Sequence, residues 1–169
     1  MEVGLLLIHV FVGALVAAHG AQKLLGWFNG FGVSGTAGYM ESVGLRPGRL
    51  MAAAAGATEI AGGLALAAGL ATPVAAALVA AVMFVAARTD HAGKGLWIYN
   101  GGAEYVLTNA AVVIGLAFNG AGAWSVDHAI GWDPSGVAWG LGALGVALAG
   151  AGFVLGVVRA APRPVPSAA

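Results

Sequence analysis

The sequence contains no cysteine and very little charge. Only 8% of its 169 residues are Asp, Glu, Lys or Arg, against roughly 25% in soluble domains. The lack of cysteine excludes disulfides, thiolate metal sites and thiol redox chemistry. Seven basic and seven acidic side chains cancel. This balance argues against nucleic-acid binding, because nucleic-acid-binding proteins usually carry a basic patch.

The rest of the composition is typical of an integral membrane protein. Hydrophobic residues make up 60% of the chain, and the mean hydropathy is +0.89. Apolar segments of suitable length follow one another at residues 3–22, 50–70, 73–87, 102–118 and 137–158. The third is the shortest, near the lower limit of roughly 17 residues for a membrane-spanning helix. We therefore predict an all-α transmembrane protein with five spans, embedded in membrane lipid.

The basic residues predict how these spans are oriented. With five spans, residues 23–49, residues 88–101 and the C-terminal tail share one face, and they contain every Lys and Arg of the chain. The opposite face carries only acidic side chains near its helix ends, such as Asp127. Because basic loops stay in the cytoplasm, we predict a multi-pass protein of the inner (plasma) membrane, with its N-terminus outside and its C-terminus cytoplasmic. This orientation requires residues 73–87 to cross.

Ionisable side chains interrupt the apolar segments. Glu59 lies near the middle of the second one, where a carboxylate costs several kcal/mol unless it is protonated, paired or hydrated. His19 and Lys23 are four residues apart and share one face of the first helix. Arg88 ends the third helix and Glu104 begins the fourth, on the same side of the membrane. We predict that these five side chains meet in one pocket in the cytoplasmic half.

Simpler interpretations of the same residues remain open. Lys23 and Arg88 can extend along the helix to reach water at the interface. Glu104 can favour the start of its helix through the macrodipole. Glu59 can be part of a structural ion pair or a protonated hydrogen-bond donor.

A metal site is a weaker hypothesis. His19, Glu59 and Glu104 offer nitrogen and carboxylate ligands of the kind that iron and zinc use. The sequence lacks the paired Glu-x-x-His motifs of di-iron bundles and the histidine pairs expected for haem between helices. We therefore predict neither a metal nor a haem site.

Glycine suggests where helices approach closely. Gly136 and Gly140, and Gly152 and Gly156, have four-residue spacing in or beside the fifth segment. Small residues at this spacing predict a helix contact, either within the subunit or between subunits. In the glycine-rich first loop, residues 34–43 could form a short interfacial helix with Ser34 as its N-cap, or an ordered loop.

Several short motifs occur in a characteristic order. HGAQK at residues 19–23 matches an HGxxK signature, and Glu59 with IAGGL at 60–64 resembles an ExxGGL stretch. GAEY at 102–105 resembles the start of a fourth helix, and GAGAWSVD at 120–127 resembles a GxGxxSxD ending. Together they resemble the DoxX family of small bacterial and archaeal membrane proteins.

The resemblance implies a transmembrane four-helix bundle over residues 1–127. Residues 128–158 would then be a loop and an additional fifth transmembrane helix, and residues 159–169 a disordered cytoplasmic tail. The positions that match the family motifs are His19, Lys23, Glu59, Glu104, Ser125 and Asp127. Ala121 and Ala123 depart from the ending that relatives often show, which has a proline and a basic residue there.

The resemblance also suggests functions, because some family members are subunits of a thiosulfate:quinone oxidoreductase and others are partners in oxidative-stress assemblies. In a quinone-interacting redox subunit, His19, Lys23 and Arg88 would bind the quinone, and Glu59 and Glu104 would relay protons. Electrons would come from a partner protein or a small donor. A non-catalytic scaffold that docks through its fifth helix, in a homo-oligomer or a hetero-complex, is an alternative. A small-solute or proton transporter is another, and catalysis itself stays open.

Overall fold

The protein is all-helical in the computed structural model, which describes residues 2–159. The elements are α1 (Glu2–Leu25), α2 (Gly32–Ser42), α3 (Gly48–Ala68), α4 (Thr72–Thr89), a 3-10 turn (Ile98–Asn100), α5 (Glu104–Asn119), α6 (Val126–Ala129) and α7 (Val137–Arg159). The predicted all-α fold is confirmed. The predicted disordered tail lies outside the described residues except for Arg159, the last residue of α7.

Four helices, α1, α3, α4 and α7, are long and apolar enough to cross a membrane. The third predicted span is short, with 18 residues in α4, and α5 is shorter still with 16. Pro73 lies in the first turn of α4, where its missing N–H leaves no hydrogen bond unmade, and the helix then continues past Arg88 to Thr89.

The helix ends and the loops between them lie at two opposite ends of the bundle. At the Glu2 end, the Glu2 carboxylate accepts from the Ala123 amide at 2.8 Å, and the Asp127 amide donates to Gly69 at 2.9 Å. At the other end, called the cationic end, lie Lys23, Arg46, Arg49, Arg88 and Lys94. Since α5 leads from the loop at the cationic end to α6 at the Glu2 end, it traverses the bundle despite its length.

Packing is sequential around the bundle. Helix α1 packs on α3, α3 on α4, and α4 on both α5 and α7, while α2 lies across α3 and α1 at the cationic end. The core is completely shielded from solvent at Leu66, Val79 and Val113, each 0% exposed. The additional helix α7 is therefore part of the packed structure through α4 and α5. The division at residue 127 stays a prediction.

Four glycines form the contact between α1 and α3, and we call Gly13, Gly20, Gly56 and Gly63 the glycine seam. A Cβ atom on Gly13 would lie 2.5 Å from the Gly63 oxygen, and one on Gly20 would lie 2.6 Å from the Gly56 oxygen. Both helices repeat glycine at a seven-residue interval, so the two backbones touch at two points one heptad apart. Only glycine allows this approach.

The glycines singled out from the sequence behave differently. Gly140 packs against the Phe118 ring, as a helix contact predicts. Gly152 and Gly156 have no described atom within 4 Å of an added Cβ, so they make no close contact within the subunit. A contact between subunits there stays a prediction.

The first loop contains the helix that its sequence suggested. Helix α2 begins at Gly32 and not at Ser34, and its N-cap Phe31 makes no side-chain capping bond, so the predicted Ser34 cap was wrong. The Leu45 amide donates to the Met40 oxygen at 2.8 Å across Gly44, which has a φ of +87°. Glycine ends a helix readily in this left-handed conformation, and buried Leu45 then anchors the turn.

Candidate functional site

A cavity of about 420 Å³ lies over α4 at the cationic end, between α3, α7 and the ends of α1, α2 and α5. Most of its wall is apolar and includes Met51, Val82, Met83, Val85 and Val154. Its polar wall has two parts. His19, Lys23, Glu59 and Tyr105 form one part, and Tyr39, Thr89, Asp90 and His91 form the other.

An ion pair lies in the first part. The Lys23 Nζ atom lies 2.7 Å from Oε1 and 2.5 Å from Oε2 of Glu59, whose side chain is only 2% exposed. Helical Cβ atoms point toward the helix N-terminus. Because α1 and α3 are antiparallel, Lys23 near the end of α1 is directed into the bundle and Glu59 is directed toward the cationic end. The two side chains therefore converge, and the Lys23 ammonium binds the carboxylate instead of only extending to water.

The glycine seam makes this pair possible. Gly20 lies one turn from Lys23, and Gly56 lies one turn from Glu59. Since the two backbones touch at these glycines, the facing side chains are brought within reach. The charge of a buried carboxylate is costly without a partner, so the seam and the ion pair support each other.

Two aromatic side chains complete this part of the wall. The rings of His19 and Tyr105 meet edge to face, with centroids 5.4 Å apart. His19 Nδ1 donates to the Gln22 side-chain oxygen at 3.0 Å, which leaves Nε2 as an acceptor in the neutral ring. The Tyr105 hydroxyl is buried and makes no hydrogen bond of good geometry with a described residue, although the Asn109 side chain on the same helix lies near it. A buried hydroxyl without a partner is unusual, so it is available to a ligand.

Of the five residues predicted to meet in one pocket, the structure brings His19, Lys23 and Glu59 together on the cavity wall and leaves Arg88 and Glu104 outside it. Arg88 is exposed at the end of α4, outside the cavity wall. The Glu104 carboxylate instead accepts from the Ile98 amide at 3.0 Å and closes the loop before α5. Successive helical residues point about 100° apart, so the next residue, Tyr105, takes the inward position. Tyr105 belongs to the GAEY motif, and this motif was the one feature of the sequence that could have indicated Tyr105 as a site residue.

The motif residues Ser125 and Asp127 lie at the Glu2 end, away from the cavity. The buried Asp127 carboxylate accepts from the Ala71 amide at 2.6 Å and the Thr72 amide at 3.0 Å, at the start of α4. Ser125 caps α6 by accepting from the His128 amide at 3.1 Å. Ala71 has a left-handed φ of +47°, an uncommon conformation for alanine. The motif loop thus holds the tight α3–α4 turn together.

Replacing Asp127 with alanine is expected to destabilise the protein. The Ala71 and Thr72 amides would lose their acceptor, at a cost of about 1–3 kcal/mol for each buried group left unpaired. Thermal unfolding in detergent measures the loss. Asp133→Ala is the matched control, since its carboxylate is 59% exposed and contacts only the exposed His128 ring. Equal stability of the two variants would contradict the structural role of Asp127.

The described residues contain no group of three or more His, Asp or Glu side chains placed to hold a metal ion. No curated protein and no solved structure matches the chain. The family model for DoxX matches residues 4–92, which is more than half of the chain. The match covers α1 to α4 with His19, Lys23 and Glu59, and it ends before Glu104 and the motif loop. The chain therefore belongs to the DoxX family of membrane proteins.

Proposed function

We propose that the cavity binds the head group of a quinone and that the chain is a quinone-interacting subunit of a membrane oxidoreductase. The observation that carries this proposal is the combination of a buried, unpaired hydroxyl and an ion pair at one end of an apolar cavity. A quinone has two carbonyl oxygens on a flat ring and an apolar tail. These features match the polar and the apolar parts of the wall.

The cavity wall also supports lateral access for a lipophilic ligand from the membrane. Leu78 and Ala54 line the cavity and are both exposed, Leu78 at 44%. Both belong to helices long and apolar enough to span a membrane. The apolar wall thus continues toward the surface that faces lipid, where a quinone is dissolved.

The polar side chains suggest distinct tasks. The Tyr105 hydroxyl and an N–H of Lys23 can donate to a carbonyl oxygen, because the ammonium has three donors and Glu59 accepts at most two. A bound quinone accepts two electrons and two protons. Glu59 can hold a proton beside Lys23 and pass it on, while the electrons come from a partner subunit or a small reduced donor.

The basic residues support an orientation for this site. Lys23, Arg46, Arg49, Arg88 and Lys94 all lie at the cationic end. Following the preference of basic loops for the cytoplasm, this end faces the cytoplasm of the plasma membrane, and the Glu2 end faces outside. The proposed site is then in the cytoplasmic half.

A second candidate function, docking in a larger complex, is favoured by one face of α7. Gly142, Gly145, Ala149, Gly152 and Gly156 are exposed and follow alternating three- and four-residue steps. Ala143, Ala147 and Ala151 on the other side are buried against the bundle. Small residues at this period suit a close helix neighbour in lipid. In that case the Lys23–Glu59 pair serves stability alone.

Quinone binding can be measured with the full chain in detergent. A soluble short-chain quinone should quench tryptophan fluorescence saturably. Tyr105→Phe should weaken binding by about two- to tenfold, because one hydrogen bond is worth roughly 0.5–1.5 kcal/mol. Tyr99→Phe is the matched control, since Tyr99 is 81% exposed. Unsaturable quenching, or equal affinities of the two variants, would count against the proposal.

A further inference from the structure

We propose that water reaches the Glu59 carboxylate from the cationic end only, through a mouth between α2 and the end of α4. The inference concerns access to the cavity and does not depend on which ligand the cavity binds. It makes Tyr39, Asp90 and His91 the entry residues for protons exchanged with Glu59.

A second cavity, of about 780 Å³, lies at the surface of the cationic end. Its wall includes exposed residues such as Ser42 and Lys94. It shares a ring of residues with the first cavity, namely Tyr39, Val43, Thr89 and Asp90. The two cavities are therefore neighbours, and in the proposed path these shared residues form the neck through which the first opens to the surface.

The neck contains polar groups that can form hydrogen bonds with a row of water molecules. The Asp90 carboxylate lies 3.6 Å from His91 Nε2 and 3.4 Å from Lys94 Nζ. Burial and the neighbouring Asp90 carboxylate raise the pKa of Tyr39 to about 12, which is further above neutral pH than the ordinary value for tyrosine. Buried water typically makes two to four hydrogen bonds, and these side chains and Thr89 supply them.

Helix α2 forms one side of the neck and is held firmly in place. Its buried face consists of Thr36, Ala37 and Met40. The Thr36 hydroxyl donates to the Lys23 carbonyl oxygen at 3.3 Å, which ties α2 to the end of α1. The position of the mouth is therefore fixed relative to the ion pair.

Within the described residues, packed helices separate the Glu59 carboxylate from water at the Glu2 end. There α1 and α3 touch at Gly13 and Gly63, which leaves no room between their backbones. The neighbouring core side chains Val16 and Leu66 are 1% and 0% exposed. No described residue of α1 before His19, and none of α3 after Glu59, lines the cavity. Water from the Glu2 end would have to cross this apolar layer.

Single cysteines test the inference directly, because the chain has none of its own. Thr58→Cys places a thiol on the cavity wall, and Ala57→Cys places one at the same depth on the exposed outside of α3. A charged, membrane-impermeant thiosulfonate reacts with the thiolate, which forms in water and not in lipid. Ser42→Cys and Ser135→Cys report on the cationic end and the Glu2 end.

Reagent is added to one side of sealed vesicles that contain the full-length protein. The expected result is that Thr58→Cys is labelled from the side that labels Ser42→Cys, and that Ala57→Cys is labelled from neither. Labelling of Thr58→Cys from the side that labels Ser135→Cys would overturn the inference. So would its protection from both sides, once labelling in denaturant has shown that the thiol is reactive.

A second variant tests the neck itself. Val43 is half-buried and lines both cavities, so Val43→Trp should fill the neck and abolish labelling of Thr58→Cys. Gly38→Trp on α2 is the matched control, because nothing lies within 4 Å of a Cβ added there. Undiminished labelling in the Val43→Trp variant would show that water enters elsewhere and would overturn the proposed mouth.

Discussion

Replacing Lys23 with methionine is expected to destabilise the protein by up to about 3–5 kcal/mol, the cost of removing one partner from a fully buried ion pair, since Lys23 itself is 24% exposed. Methionine keeps an apolar stem of similar length, so the change removes mainly the charge. Glu59 is 2% exposed, and both of its oxygens contact the Lys23 ammonium. The variant would leave that carboxylate at membrane depth without its counter-charge. Equilibrium unfolding in mixed detergent micelles measures the loss.

Two further variants separate charge from packing. Arg88→Met removes an exposed cation at the same end of the bundle and should change stability by less than about 0.5 kcal/mol. In the double variant Lys23→Met with Glu59→Leu, no uncompensated charge remains, so most of the lost stability should return. A double variant as unstable as Lys23→Met would show that the pair does not act through its charges.

Replacing Gly63 with leucine is expected to have a comparable or larger effect. A Cβ atom at Gly63 would lie 2.5 Å from the Ala17 amide nitrogen and 2.6 Å from the Gly13 oxygen. The obstacle is backbone, which cannot rotate away, so α1 must move off α3. Overpacking alone costs about 1–3 kcal/mol, and separating the helices would also break the Lys23–Glu59 pair. We expect loss of the folded form in the same unfolding assay, and Gly20→Leu should behave alike.

Glycines on α7 serve as the control. Nothing described lies within 4 Å of a Cβ added at Gly152 or Gly156, so leucine there should leave the stability of the monomer unchanged within about 0.5 kcal/mol. Equal losses in the α1–α3 and α7 variants would contradict the glycine seam. If the α7 variants keep their stability but lose an oligomer or a co-purifying partner, α7 is a docking face.

Some of the site could be predicted from the sequence and some could not. Glu59 stands out because a carboxylate in an apolar segment must find a partner inside the protein. His19 and Lys23 follow from helical spacing. Glu104 and Tyr105 are adjacent in one motif, and which of them points inward depends on the rotation of α5. That rotation is set by packing on α4 and α7, so the sequence pattern alone assigned the wrong one.

The glycine seam was missed for a related reason. With 29 glycines in the chain, regular glycine spacings are common, and the four-residue pairs in or beside α7 stood out more than the seven-residue pairs on α1 and α3. What distinguishes Gly13 and Gly63 is that they face each other. Facing depends on the register of two antiparallel helices, which no single helix encodes.

Composition and hydropathy by themselves determined a helical membrane protein, since apolar segments of this length can satisfy their backbone hydrogen bonds in lipid only as helices or closed barrels. They also determined that Glu59 needs a partner. Only the tertiary structure decided that this partner is Lys23, that Tyr105 joins them, and that Asp127 holds a turn at the far end. Such contacts join residues distant in sequence, and their geometry arises when the helices pack.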